Sequence, residues 1–363
     1  MQKKQKHENN GSGMKDKAGL SRFKCTNSGT RFKVTSYSFI IFVLSFTGNY
    51  SFSQPGQRTS RAVSMDTAKE VLNIYLKQQL VLSYQYGTLY PPAGQDTLYK
   101  RSGFVHPINT LAGSTLTQIQ PPDHYHHYGF WNAWTKVLFE KDTIDFWNLK
   151  SNRGTVQFAG IKALHRKKAK ASFTVMQHHI AFPNTEKQKT AISENLQVVV
   201  QPLAGNNRAY IIDLVATMQC ATKSPVHLLK YRYGGYGWRA TPYWEKANCK
   251  VTTSEKTQRH NTDGIKARWI MAQGPLPDNH YGGMVIMSHP QNYNHPEPLR
   301  IWDETSNEGR GDLFVNYSPS KTQDWLLVPG MKYVLRYRLL VFDGSMDDET
   351  ANHSWEQYAK GLN

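Results

Sequence analysis

Three imidazoles and a carboxylate fall within seven residues at Asp123-His124-Tyr125-His126-His127-Tyr128-Gly129, between Pro121-Pro122 and the aromatic run Phe130-Trp131-Asn132-Ala133-Trp134. Histidine exchanges its proton near neutral pH, and its neutral ring is the commonest metal ligand, so the cluster could move protons or hold a metal ion. An extended backbone would place His124, His126 and Tyr128 on one face and Asp123, Tyr125 and His127 on the other. In a proton-transfer site, His124 or His127 would carry the proton, and Asp123 would orient the ring or act as base. On this reading His127 faces solvent, and no cofactor is required. In a metal site, His124 and His126, about 7 Å apart along a strand, would converge on a divalent ion completed by His289 or His106. With no chemistry at all, the stretch would be a surface loop packed against the neighbouring tryptophans.

Further candidates lie outside the cluster. His106-Pro107 and Ser288-His289-Pro290 put an imidazole before a proline, which favours an extended or turn conformation at a strand end. His106 and His289 would then complete the polar wall of the site. The run Tyr231-Arg232-Tyr233-Gly234-Gly235-Tyr236-Gly237-Trp238-Arg239 mixes glycines with rigid aromatic faces of the kind a sugar ring stacks on. There Tyr231 and Tyr233 are expected to pack inward, and Trp238 and Arg239 to touch ligand, together with Trp131 and Trp302. A paired-carboxylate hydrolase site could draw on Asp123, Asp145, Asp303 and Glu304. No phosphate-binding loop or dinucleotide fingerprint occurs.

The elements that must carry these residues read as strands. After Gln54, short apolar runs alternate with Gly, Pro, Asn and Asp punctuation, as in an antiparallel sandwich or barrel. Clear examples are Leu196–Val200, Tyr210–Met218, Met284–Ser288 and the run from Lys332 to Phe342. In the last, Tyr333, Leu335, Tyr337, Leu339 and Val341 share a face opposite Arg336 and Arg338, the pattern of a half-buried strand. Residues 66–79 are read as strands although their propensity also allows a helix. Residues 347–360 predict one C-terminal helix, capped by Ser345, with Ala351, Trp355, Tyr358 and Ala359 on the buried face. Residues 55–363 therefore form one all-β domain, a large antiparallel β-sandwich.

Residues 1–54 have another character. Nine Lys or Arg residues before Val34 precede an uncharged segment with an apolar centre at Phe39–Phe46, ending at Ser51-Phe52-Ser53. This is the pattern of a signal peptide cleaved after Ser53, giving a periplasmic or secreted protein with no membrane partner thereafter. An uncleaved anchor is the alternative. Cleavage would leave 35 basic and 25 acidic residues, a net charge of +10. That charge is spread thinly, with no nucleic-acid-type run beyond Arg166-Lys167-Lys168, so DNA and RNA are not expected partners. Cys220 and Cys249 could form a disulfide in an exported chain or remain two buried thiols.

Taken in order, Arg101-Ser-Gly-Phe-Val-His-Pro107, Pro121 to Gly129, Asp145-Phe-Trp-Asn148, Tyr233 to Trp238, Ser288-His-Pro290 and Pro329-Gly to Gly344 resemble the PmoA-like family of unknown function, exported bacterial proteins encoded beside sugar-utilisation genes. The likeness spans residues 65–344. The family's commoner motif has proline and arginine where this chain has Tyr125 and Tyr128. The resemblance implies a supersandwich in the style of aldose epimerases, in which a histidine and a carboxylate in an aromatic cleft move protons on a sugar. A methane oxygenase would need several apolar spans of about 20 residues, and residues 55–363 have none. The expected protein is thus a carbohydrate-active enzyme of epimerase, lyase or hydrolase type. The competing expectations are a non-catalytic glycan-binding module and a metal-dependent enzyme.

Overall fold

The computed structural model describes residues 63–361. The expected leader, residues 1–54, lies outside them. The described chain is almost wholly β: two eight-stranded sheets, a four-stranded sheet and one C-terminal helix, every strand pairing being antiparallel.

The first sheet runs, in spatial order, through Val63–Ala68, Val71–Leu76, Gln79–Gln85, Phe104–Ile108, Phe130–Trp134, Gly234–Arg239, Phe314–Tyr317 and Leu299–Ile301. The second contains Lys250–Thr253, Trp269–Pro275, Tyr281–Ser288, Tyr333–Asp343, Ala209–Cys220, Lys189–Pro202, Lys170–Ala181 and Gly154–Lys167. One apolar core draws side chains from both, among them Val105, Phe130, Leu214, Leu335, Leu339 and Val341. Period-two alternation along these strands sends every second side chain into that core. The segment over residues 66–79 forms two strands of a hairpin, as the sequence suggests.

The strand Tyr333–Asp343 is covered on both faces. Leu335, Tyr337, Leu339 and Val341 enter the main core, while Leu340 and Phe342 enter a second cluster with Trp269, Met271, Val285 and Met287. The helix α1, Asp348–Lys360, roofs that cluster with Ala351 and Tyr358. Arg338 tolerates this cover because Asp213 accepts two hydrogen bonds from it, at 2.6 and 2.9 Å. The helix is capped by Asp347, which accepts from the Thr350 N–H, rather than by Ser345. Asp347 lies three residues before Thr350, the spacing at which a capping side chain reaches an unpaired N–H of the first turn.

Both candidate cysteines are free thiols. The Cys220 thiol donates to the Leu327 carbonyl, and burial pushes the Cys249 thiol up to about 12.

Candidate functional site

Four neighbouring strands of the first sheet place the site at one edge. Phe130–Trp134 pairs with Gly234–Arg239, which pairs with Phe314–Tyr317, which pairs with Leu299–Ile301. Because the strands are antiparallel, the start of the first, the end of the second, the start of the third and the end of the fourth fall together. Residues 123–129, Arg239, Asp312 and Trp302 occupy those four ends. The Arg239 N–H donates to the Gly129 carbonyl at 2.9 Å, and the Trp302 N–H to that of Phe314 at 3.0 Å. Gly129 has φ +68, and a Cβ there would lie 2.5 Å from the Val105 carbonyl oxygen, so only glycine lets the cluster enter its strand here.

The cluster is not extended. Two consecutive turns, closed by His124 N–H to Pro121 at 2.8 Å and His127 N–H to His124 at 3.0 Å, fold it back on itself. The alternation of faces is therefore corrected: the His124, His126 and His127 rings pack together, with centroids 4.8 to 5.4 Å apart. His127 does not face solvent. It is 1% exposed and lies against Trp131, Trp302 and Phe314. Burial holds its imidazole well below the usual pKa, and the same cause lowers His126 to about 4.

Asp123 and His124 are the accessible pair, each side chain 26% exposed, with His124 Nδ1 2.9 Å from Asp123 Oδ2. Arg310 donates to the same oxygen at 2.9 Å and Asn307 at 3.2 Å, while Arg239 stands 3.6 Å away. Partial burial works to raise the Asp123 pKa, but the His124 hydrogen bond and the Arg239 charge outweigh it and hold the carboxyl well below the usual range. Arg239 donates to Asp312 at 2.7 Å, and Asp312 also pairs with Arg310 and accepts from Asn307 at 3.0 Å. Two carboxylates and two guanidiniums thus form a closed network, with the Arg239 guanidinium lying over the Trp302 ring at 5.0 Å. Asp123, Arg239, Arg310 and Asp312 line a recess of 180 Å³.

The remaining expected site residues separate into two groups. His106 lines the adjoining cleft, its Nδ1 2.8 Å from Thr117 Oγ1, and burial lowers it to about 4. His289 does not join the cluster. It ends a strand of the second sheet, is 2% exposed, accepts from the Gln291 N–H and packs against Tyr358 of α1. This also corrects the ligand set His124, His126 and His289: among the described residues, no group of three or more His, Cys, Asp or Glu side chains is placed to hold a metal ion.

Trp131, Trp238 and Trp302 are 1%, 1% and 5% exposed and present no face to a ligand. Trp238 donates to the Leu116 carbonyl, and Trp302 is sandwiched by Arg239, His124 and Phe314. The tryptophans support the site from beneath, because large aromatic surface is worth more buried than wet. Tyr231, expected to pack inward, is 37% exposed, whereas Tyr233 packs against Trp147. Asp145 caps the Trp147 and Asn148 N–H groups, and Asp303 accepts from Thr305. Neither carboxylate shares the recess with Asp123.

Arg310, Asp312 and Asn307 escaped the sequence reading. In Gly309-Arg-Gly-Asp312 the charges look like a solvated turn, and only strand register brings them to Asp123. A buried pair, His179 Nε2 to Glu194 Oε2 at 2.8 Å with both side chains fully buried, also went unseen. It receives a 2.8 Å hydrogen bond from Asn132, beside Trp131, and so braces the strand that follows the cluster.

An antiparallel β-sandwich with a charged recess at one sheet edge is the class this fold and site define. Residues 72–356 match the family of unknown function DUF6807, and the chain belongs to that family. Among solved structures it is similar to an alpha-galactosidase, AgaA, from Geobacillus stearothermophilus in complex with 1-deoxygalactonojirimycin, at 10% identity and a TM-score of 0.33 over 78% of this chain and 40% of that one. It is also similar to a GalM/aldose epimerase homologue from C. elegans, at 9% identity and a TM-score of 0.32 over 79% of this chain and 100% of that one. A putative mutarotase, YeaD, from Salmonella typhimurium gives 10% and 0.30 over 79% and 96%. The chain spans about two fifths of the galactosidase's length. No curated protein matches the sequence.

Proposed function

We propose that the protein is an exported carbohydrate-active enzyme whose Asp123–His124 dyad performs general acid/base chemistry on a sugar. The observation that carries this is the 2.9 Å contact between a partly exposed imidazole and a carboxylate that this hydrogen bond and the Arg239 charge keep ionised. An ionised carboxylate only accepts hydrogen bonds, so His124 Nδ1 carries the hydrogen and Nε2 is left as the base. The donors and acceptors of Arg239, Arg310, Asn307 and Asp312 suit sugar hydroxyls, and their mutual bonds fix them before a ligand arrives. Asp123 holds the ring and stabilises the imidazolium as it forms. The motif likeness to PmoA-like proteins, encoded beside sugar-utilisation genes, supports the same substrate class. Export would follow from cleavage after Ser53.

The test is turnover of a panel of mono- and oligosaccharides by the wild type and by Asp123→Asn and His124→Ala. Removal of a positioned general base costs about 10²-fold or more. A wild type that binds sugars without converting them would make the protein a glycan-binding module.

A further inference from the structure

The Asp123 recess shares a wall with a second cleft. Gln118, Thr241 and Pro242 line both it and this cleft of 490 Å³, so the two lie side by side across that ridge. Three loops converge on the second cleft: residues 112–119 after the strand Phe104–Ile108, residues 241–243 after Gly234–Arg239, and the 277–280 turn between two strands of the second sheet. Its size falls within the range of small-ligand sites, whereas the 180 Å³ recess is below that range.

The second cleft has an organised polar lining and one exposed aromatic face. His106 Nδ1 is held by Thr117 Oγ1 at 2.8 Å, and His280 Nδ1 by Ser114 Oγ at 3.1 Å. Thr117 Oγ1 already accepts the Ile108 N–H, so its hydroxyl hydrogen is free to go to His106, which leaves a donor on Nε2 of that ring. Tyr243 is 54% exposed, yet its backbone is fixed: its carbonyl accepts from Asn248, and the next residue, Trp244, is 1% exposed and donates to Pro275. Tyr243 therefore offers an exposed aromatic face, on a fixed stretch of backbone, at the wall of this cleft.

We infer that the second cleft is a subsite for a further sugar ring, stacked on Tyr243, and that the ligand is therefore an oligosaccharide of at least two units rather than a single sugar. This rests on the carbohydrate reading of the Asp123–His124 dyad, of which Asp123 lines the recess and His124 is bonded to it at 2.9 Å. The ridge at Gln118 and Pro242 separates the rings, so the dyad acts on the unit in the recess and the second cleft supplies affinity and selects for chain length.

Binding of the full chain to an array of monosaccharides and their di- and tetrasaccharides tests this, with Tyr243→Ala and Ala112→Trp beside the wild type. Ala112 is an exposed lining residue, so a bulky replacement fills the cleft without disturbing the core. We expect the wild type to hold oligosaccharides at least about 10-fold tighter than the matching monosaccharide. Tyr243→Ala should erode that preference by roughly 3- to 10-fold, the worth of one aromatic stacking contact. Ala112→Trp should abolish it, while monosaccharide affinity is kept in both variants. Equal affinity for single and linked sugars, or a preference that both variants retain, overturns the subsite and leaves the dyad standing. Failure to hold any sugar overturns both.

Discussion

His124 and His127 are three residues apart, yet they call for opposite experiments. His127 fills a pocket of Trp131, Trp302 and Phe314, so His127→Ala leaves a cavity and should lower stability by about 2–4 kcal/mol in denaturant unfolding. His124 is partly exposed, and its truncation should change stability by less than about 1 kcal/mol while removing turnover. The buried imidazoles also set a pH dependence. His106 and His126 are lowered to about 4 and His127 lies well below its usual value, so in the acid range the unfolded chain binds protons that the folded one refuses. Stability therefore rises with pH across this window: it is complete above about pH 6.5 and is lost as pH falls towards 4. Thermal melts should show a falling midpoint from pH 7 to pH 5, with about 1–2 kcal/mol lost per imidazole at pH 5. A flat profile would mean that these rings are charged in the folded protein. Asp123 adds to the same trend in a lower window: its lowered pKa contributes stability present above about pH 4 and lost only in stronger acid.

At the scale of elements, α1 earns its place by covering apolar surface on the second sheet. Tyr358 is 1% exposed in the cluster with Trp269 and Met271, so Tyr358→Ala should cost about 3 kcal/mol, measurable as a shift in the urea midpoint at unchanged slope. Strands and helix were legible in the sequence because alternation and a one-sided apolar stripe are local signals. Burial of both faces of Tyr333–Asp343 was not, since Arg336 and Arg338 mark that face as wet, and only the docked helix and Asp213 reverse this. The cluster was legible as a group of residues but not as a shape. Its His and Tyr spacing suits a strand as well as two turns, and Pro121 and Gly129 were the local hints of turning. Arg310 and Asp312 lie more than 180 residues from Asp123 in sequence. Their meeting is a consequence of strand order, to which the sequence periodicity is blind.

For the whole molecule, the sheets make a rigid frame and the chemistry sits on loops at one edge of it, an arrangement in which loop residues can be spent on a ligand without loss of the core. The two thiols offer a check on that frame. Cys249, pushed up to about 12 by burial, should resist alkylation in the native protein and react once it is unfolded, as read by mass spectrometry. The central claim is that the Asp123–His124 pair transfers protons, and the most direct measurement is kcat/KM on the best-turned-over sugar for wild type, His124→Ala, and His124→Ala with added imidazole. We expect a loss of about 10²-fold or more, partly restored by imidazole, with a melting midpoint close to that of the wild type. Undiminished turnover in His124→Ala would contradict the claim and return residues 123–129 to a packed structural loop.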